Sequence, residues 1–424
     1  MTTRLPTPIE AGAQARAIVN TRAAARGQTY GDVRSQALSA ARFAEAFNEI
    51  SSWPGYAPTP LAALPALAAA LGITQLHYKD ERTRFGLHSF KALGGAYAVA
   101  NVLRRKIAAA HGLAPEAVGS ADLLSGEHAG LIAAQTVCCA TDGNHGRSVA
   151  WGAQLFGCRC VIFVHPTVSQ GRRDAIARYG AEVVEVPGNY DDAVRHAAQQ
   201  AARQGWTVVS DTSYPGYREI PSDVTHGYGV MAAEIAQQLP GGKPPTHVFV
   251  QAGVGALAAS ICADFWIRWG AERPRFVIVE PLVADCIYRS LASGERSVVT
   301  GSLDTVMAGL ACGEVSELAW EILREGADAA IAVDDRYALA GMRRFAEPLG
   351  DDPAIVAGET GASGLAALLA VQDHPTLAAT LALARDSRVL LFGSEGDTDP
   401  VIYREIVGRS AEQVLAAAHS PAKP

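Results

Sequence analysis

From Thr136 onward the chain alternates short runs of apolar and β-branched residues with amphipathic stretches, and no other feature narrows its possible folds as much. Val137–Ala140, Cys160–Val164, Ala181–Val186 and Thr207–Ser210 read as strands; Arg147–Phe156, Ser169–Tyr179 and Asp191–Arg203 read as the helices between them. Gly157 and Gly180 stand where helices should stop, and Asn189 and Asp191 where one should start. A run of βαβ units implies a parallel sheet, because parallel neighbours need a crossover long enough to hold a helix. A second series follows Thr225: a helix, strand His247–Gln251, a glycine-rich turn, helix Ala256–Trp266, strand Phe276–Glu280, a helix after Asp334 and strand Val389–Phe392. The expected fold is α/β, with two doubly wound open-sheet domains: a large one from residues 1–95 and 215–424, and a small one from 96–214.

Composition removes several functional classes. The 424 residues carry a formal net charge of −7 without any block of like charge, so no nucleic-acid partner is expected. The longest apolar stretch, Leu61–Ile73, is interrupted by Pro65 and falls short of the roughly 20 residues that span a bilayer, so no membrane partner is expected either. Several arginines and almost no acid occupy the first thirty residues, but Ala and Arg are abundant throughout, so no transit peptide is read there. Seven cysteines without a C-x-x-C pair suggest buried thiols of a reducing cytoplasm, with neither a disulfide framework nor a metal site. Cys286 and Cys312 are the candidate neighbours among them.

In doubly wound sheets ligands bind beyond the carboxyl ends of the strands, which directs attention to the loops after Ala140, Ser210, Gln251 and Phe392. Upstream, His88–Tyr97 places Lys91 among apolar residues at the start of a helix, where desolvation would depress the amine pKa that a lysine nucleophile must lower. Alone, such a lysine reads as an ordinary snorkelling side chain. Ala140-Thr141-Asp142-Gly143-Asn144-His145-Gly146 is a polar turn before a helix expected from about Arg147, and its amides suit an anion. Ala252–Ala258 is a phosphate cradle of backbone amides. It equally matches the G-x-G-x-x-A turn of a dinucleotide site, with Glu280 at the ribose position, and taken alone the two readings are even. Leu391–Pro400 leaves a buried strand, with Asp399 as a cap and Pro400 as first helical residue.

Ser89-Phe90-Lys91 followed by Gly94-Gly95-Ala96-Tyr97 resembles the cofactor-lysine segment of the fold-type II pyridoxal-phosphate enzymes, the group of threonine dehydratase and the tryptophan synthase β chain. Four spaced segments in the family's order extend the resemblance over roughly Trp53 to Tyr403. It implies pyridoxal 5'-phosphate bound to Lys91 as a Schiff base beside Phe90, in an active site within an interdomain cleft. The cofactor's phosphate would lie on Gly253, Val254, Gly255, Ala256 and Leu257, its ring hydroxyl on Asn144 and its pyridine nitrogen at Ser394. The substrate carboxylate would lie on Ser89, Thr141, Gly143 and His145. The lysine and asparagine segments decide the glycine turn for this cofactor, since a nicotinamide enzyme needs neither.

Asp142 is the informative departure. A carboxylate in a loop that receives a carboxylate would repel it unless it were protonated or faced an amine, so Asp142 is expected to face the substrate's Cα–H or ammonium. Relatives acting on hydroxy amino acids usually carry a small residue there, whereas Thr141-Asp142-Gly143-Asn144-His145-Gly146 resembles the diaminopropionate ammonia-lyases. That likeness makes Asp211 a partner for the substrate's second amine, and Lys91, Asp142 and Asp211 the catalytic groups. Met307–Glu314 and Gly358–Gly364 look like site-lining segments of the same enzymes. The implied reaction is α,β-elimination from 2,3-diaminopropionate, of D and L forms alike, in amino-acid catabolism by a homodimer. Serine or threonine dehydration is the alternative chemistry, and a silent cofactor-binding regulator the alternative of another class.

Overall fold

The computed structural model describes residues 12–141 and 143–418, so the expectations placed on Asp142 lie outside the described residues. The chain forms two compact units, one of Met1–Ser39, Pro58–His88 and Met231–Pro424, the other of Ala40–Ala57 and Ser89–Val230. The smaller unit thus begins at Ser89 instead of 96, runs on to Val230 instead of 214, and recruits a stretch ahead of the first alternating segment. Lys91 therefore belongs to the smaller unit.

In chain order the strands are β1 (Ala15–Val19), β2 (Leu61–Ala63) and β3 (Gln75–Asp80), then β4 (Thr136–Ala140), β5 (Arg159–Val164), β6 (Glu182–Glu185) and β7 (Thr207–Val208). β8 (His247–Gln251), β9 (Arg275–Pro281), β10 (Ala329–Val333) and β11 (Arg388–Gly393) follow. The larger unit holds a seven-stranded sheet of order β1-β10-β9-β8-β11-β3-β2. Its five inner strands run parallel, while β1 and β2 close the two edges antiparallel. The smaller unit holds an all-parallel sheet of order β6-β5-β4-β7.

Local chemistry explains the boundaries. Burial along every residue of β10 matches its unbroken apolar sequence, and β8 is likewise buried throughout around Val248–Val250, as expected where helices cover both faces of a sheet. Asn189 and Asp192 form a reciprocal capping box that starts helix Tyr190–Gln204. The Ser169 hydroxyl caps helix Gln170–Ala177. Residues 15–19, left unassigned by periodicity, become an edge strand only through pairing with β10. No helix among the described residues is long and apolar enough to cross a membrane.

The strand orders place the chemistry. In the larger sheet β8, β9 and β10 advance in one direction and β11 returns to the other side of β8, so the switch point lies between β8 and β11. In the smaller sheet β4, β5 and β6 advance and β7 returns beside β4, so its switch point lies between β4 and β7. Crevices open at such points, because the loops of adjacent strands diverge there. The four loops singled out from sequence are the four that flank these two points.

Candidate active site

In the smaller unit, Lys91 ends the turn that leads into helix Ala92–His111. Two glycines fix that helix by close packing. A Cβ on Gly94 would lie 2.4 Å from the Tyr228 ring, and one on Gly95 would lie 1.9 Å from the Ser148 hydroxyl. The Gly-Gly of the motif is therefore a packing device that seats the lysine helix against Asn144–Phe156 on one side and Glu219–Gln238 on the other.

The Lys91 ammonium donates to Asp211 Oδ2 at 2.6 Å. The bond joins two residues 120 positions apart in the chain. The nitrogen also lies 5.4 Å from the Phe90 ring centre and 5.7 Å from that of Tyr228, two rings that pack on each other. Ser89 accepts the Lys91 backbone N–H through its hydroxyl. Tyr228 was not foreseen from sequence; its only local signal is its place between Gly227 and Gly229 in a tightly packed helix.

Asp211 follows β7, and His145 follows β4. His145 Nε2 lies 2.8 Å from the Val209 carbonyl, which can only accept, so this nitrogen carries the proton. Its Nδ1 lies 3.9 Å from Asp211 Oδ2. Burial alone would raise the Asp211 carboxyl, but the charge of Lys91, then that of His145, holds it well below the usual carboxylate range. Asp211 is thus an anion matched to an ammonium.

The helix after β4 begins at Asn144, three residues earlier than the expected Arg147. The Thr141 hydroxyl accepts the amides of Gly143 and Gly146, which closes the turn and draws Asn144 and His145 into the first helical residues. Two of the loop's amides are therefore already used, so its capacity for an anion is smaller than the glycine content suggests.

In the larger unit, Gly253–Gly255 join β8 to helix Ala256–Trp269. None of the amides from Gly253 to Leu257 donates to another group of the chain among the described residues, and these donors stand at a helix start. A Cβ on Gly253 would lie 2.8 Å from the Gly309 carbonyl, and Gly255 adopts φ +96°. This is a narrow row of unused donors, as a phosphate group requires. Gln251 Nε2 donates to the Phe392 carbonyl and, at 2.6 Å, to the Ser394 hydroxyl oxygen, which ties the two sides of the switch point together. Ser394 keeps its own O–H to donate elsewhere. The Gly358–Gly364 segment lies against Glu395, through Gly358 N and Thr360 N.

Glu280 does not serve a ribose. It is fully buried and accepts the amides of Ile287 and Tyr288 at the start of helix Cys286–Ser293. Cys286 and Cys312 are both free thiols, and both lie against Gly253.

The amide row and the Ser394 hydroxyl of the larger unit are donors of the kind that a phosphorylated pyridine cofactor needs, and the smaller unit by itself offers the amine that a Schiff base needs, so the residues of each unit fit pyridoxal phosphate. A family model described as pyridoxal-phosphate dependent enzyme matches residues 52–392. The chain is 45% identical to the diaminopropionate ammonia-lyase of Escherichia coli strain K12 over 83% of its own length and 88% of the relative's. It is 40% identical to the diaminopropionate ammonia-lyase of Salmonella typhimurium, over 84% of this chain and 90% of that one. The crystal structure of the holo Escherichia coli diaminopropionate ammonia lyase superimposes with a TM-score of 0.82 at 40% identity, covering 93% of this chain and 97% of that one.

Proposed function

The chain belongs to the pyridoxal-phosphate-dependent enzymes and, among them, to the diaminopropionate ammonia-lyases, and from this premise we propose that it converts 2,3-diaminopropionate and water to pyruvate and two ammonia. The observation that carries the reading is the Lys91 ammonium held on Asp211 at the switch point of the smaller sheet. When bound, pyridoxal phosphate supplies a conjugated ring that accepts the electron pair left at Cα. Its holders are Lys91 and Phe90, Asn144 for the ring hydroxyl, Gly253, Val254, Gly255, Ala256 and Leu257 for the phosphate, and Ser394 for the ring nitrogen.

The Lys91 amine removes the Cα proton on one face. Asp142 removes it on the other, so that D and L substrates each meet a base. Asp211 already holds one ammonium, and an anion so matched takes the substrate's β-ammonium in its place. Ser89, Thr141, Gly143 and His145 receive the substrate carboxylate. The β-amine leaves as the first ammonia, and the released three-carbon enamine hydrolyses to pyruvate and the second. A reducing cytoplasm and a homodimeric assembly complete the reading, in keeping with seven cysteines that form no disulfide framework in the sequence.

Pyruvate release from both diaminopropionate isomers, serine and threonine, measured on a yellow preparation, tests the assignment. Diaminopropionate should be the preferred substrate; a colourless wild type, or faster release from serine or threonine, would overturn it. Asp142→Asn should lower turnover of the D isomer by about 10²–10⁴-fold and spare the L isomer. Equal losses on both isomers would remove Asp142 as a second base.

A further inference from the structure

We propose that the larger unit carries a second ligand site, a basic cavity at the amino-terminal ends of β8, β9 and β11 that binds a small phosphate-bearing molecule. The cavity has a volume of about 450 Å³, within the range of small-molecule sites. A second hollow of about 360 Å³ shares its Lys243, Pro245 and Arg388.

The charge balance of the lining identifies the ligand. Arg26, Lys243, Arg273, Arg275 and Arg388 line the cavity with one carboxylate, Glu272, and the adjoining hollow adds a second, Asp386, so the cations outnumber the carboxylates. Two of these cations are structural. Arg26 and Arg273 both pair with Asp328, at 2.7 Å and 3.5 Å, and donate to the backbone carbonyls of 273, 274, 326 and 24. Lys243, Arg275 and Arg388 make no ion pair among the described residues. Arg388 is nevertheless held in place, since its Nη2 donates to the Pro244 carbonyl at 2.9 Å, while its Nε is buried and without a partner.

Three cations without an ion pair among the described residues repel one another in one concavity, and the chain around them has a net charge of −7. An anion of two or more charges reverses that repulsion. Guanidinium forks and an ammonium are the donors that suit phosphate oxygens, and Pro244 and Pro245 offer an apolar wall for an attached organic group. The site is separate from the cofactor's phosphate cradle. His247 and Arg388 stand at the starts of β8 and β11, whereas the glycine turn and Ser394 follow the other ends of the same strands. Five strand residues span about 16 Å.

Isothermal titration calorimetry of the holoenzyme with pyrophosphate and with ADP, at low salt, tests the proposal. One saturable site per chain is expected, weakening as salt rises. The double variant Lys243→Ala/Arg275→Ala, which removes two cations that hold no backbone, should bind at least about 10-fold more weakly, and Lys243→Arg/Arg275→Lys should recover most of the affinity. Thermal unfolding of the unliganded variants should match wild type. Absence of binding, or equal affinity in the alanine variant, would overturn the site. So would loss of the cofactor's visible absorbance in step with the isotherm, because it would put the anion in the cofactor's own cradle.

Discussion

Two lysines of this chain each hold a carboxylate at 2.6 Å, and they could hardly differ more in what they can do: Lys91 on Asp211 in the smaller unit, Lys79 on Glu234 in the larger. Lys79 and Glu234 have no exposed surface. The three hydrogens of Lys79 meet three acceptors, Glu234, the Thr59 carbonyl and Gln238. Arg84 braces the same carboxylate together with Glu81. Burial lowers the Lys79 amine while Glu81 and Glu234 oppose it, and the cations hold the Glu234 carboxyl below its ordinary value against its own burial. Lys91 and Asp211 instead keep 22% and 16% of their side-chain surface, beside two aromatic rings. Distance is the same in both pairs. Accessibility is what separates a chemical lysine from a structural one.

Exchanging the two roles by mutation is the sharpest way to break this comparison. Lys91→Ala should lose the yellow colour and at least about 10⁴-fold in turnover on every substrate, while its urea midpoint stays near wild type. A variant that stays yellow and active would return Lys91 to an ordinary helix lysine. Glu234→Gln should do the reverse. Leaving two buried cations short of a carboxylate should lower stability by roughly 3–5 kcal/mol in urea unfolding, with turnover per folded molecule within a few-fold of wild type. A large fall in turnover at full stability would show that the buried cluster also serves the reaction.

A smaller effect separates the carboxylates by the sign of their pH dependence. Asp211 is held below its unfolded value, so its contribution is present above about pH 4 and lost as pH falls further. Glu280 is pushed the other way, up to about 8, by burial against the two amides it accepts. Its contribution is complete below about pH 4.5 and disappears as pH rises through 8, because the folded state binds the extra proton in that window. Relative to Glu280→Gln, the wild type should therefore lose roughly a few kcal/mol between those pH values. Relative to Asp211→Asn, it should lose stability on acidification instead. Parallel pH profiles for the two variants would refute the assignment of opposite shifts.

Much of the fold was legible because its signals are local. Strand, glycine turn and helix follow one another within a dozen residues, and both capping at Asn189 and the stop at Gly157 are written in side chains next to the bond they make. The signal failed where a distant group decided the outcome. Thr141 starts the helix at Asn144 because its hydroxyl reaches forward to Gly146, which periodicity cannot register. Tyr228 reaches Lys91 only through the packing of two helices 137 positions apart in the chain. Residues 15–19 are a strand only because β10 offers an open edge.

Sequence alone determined the alternation that makes the sheets, the glycine row that leaves amides unused, and the lysine motif with its family resemblance. All of these depend on residue type and near neighbours, so they survive without coordinates. Only the tertiary structure decided that the four marked loops flank two switch points, that Asp211 meets Lys91 across 120 positions, and that Glu280 caps a helix instead of awaiting a ribose. Strand order, ion pairing and burial are long-range properties, fixed when distant segments share one core, and no local pattern encodes them.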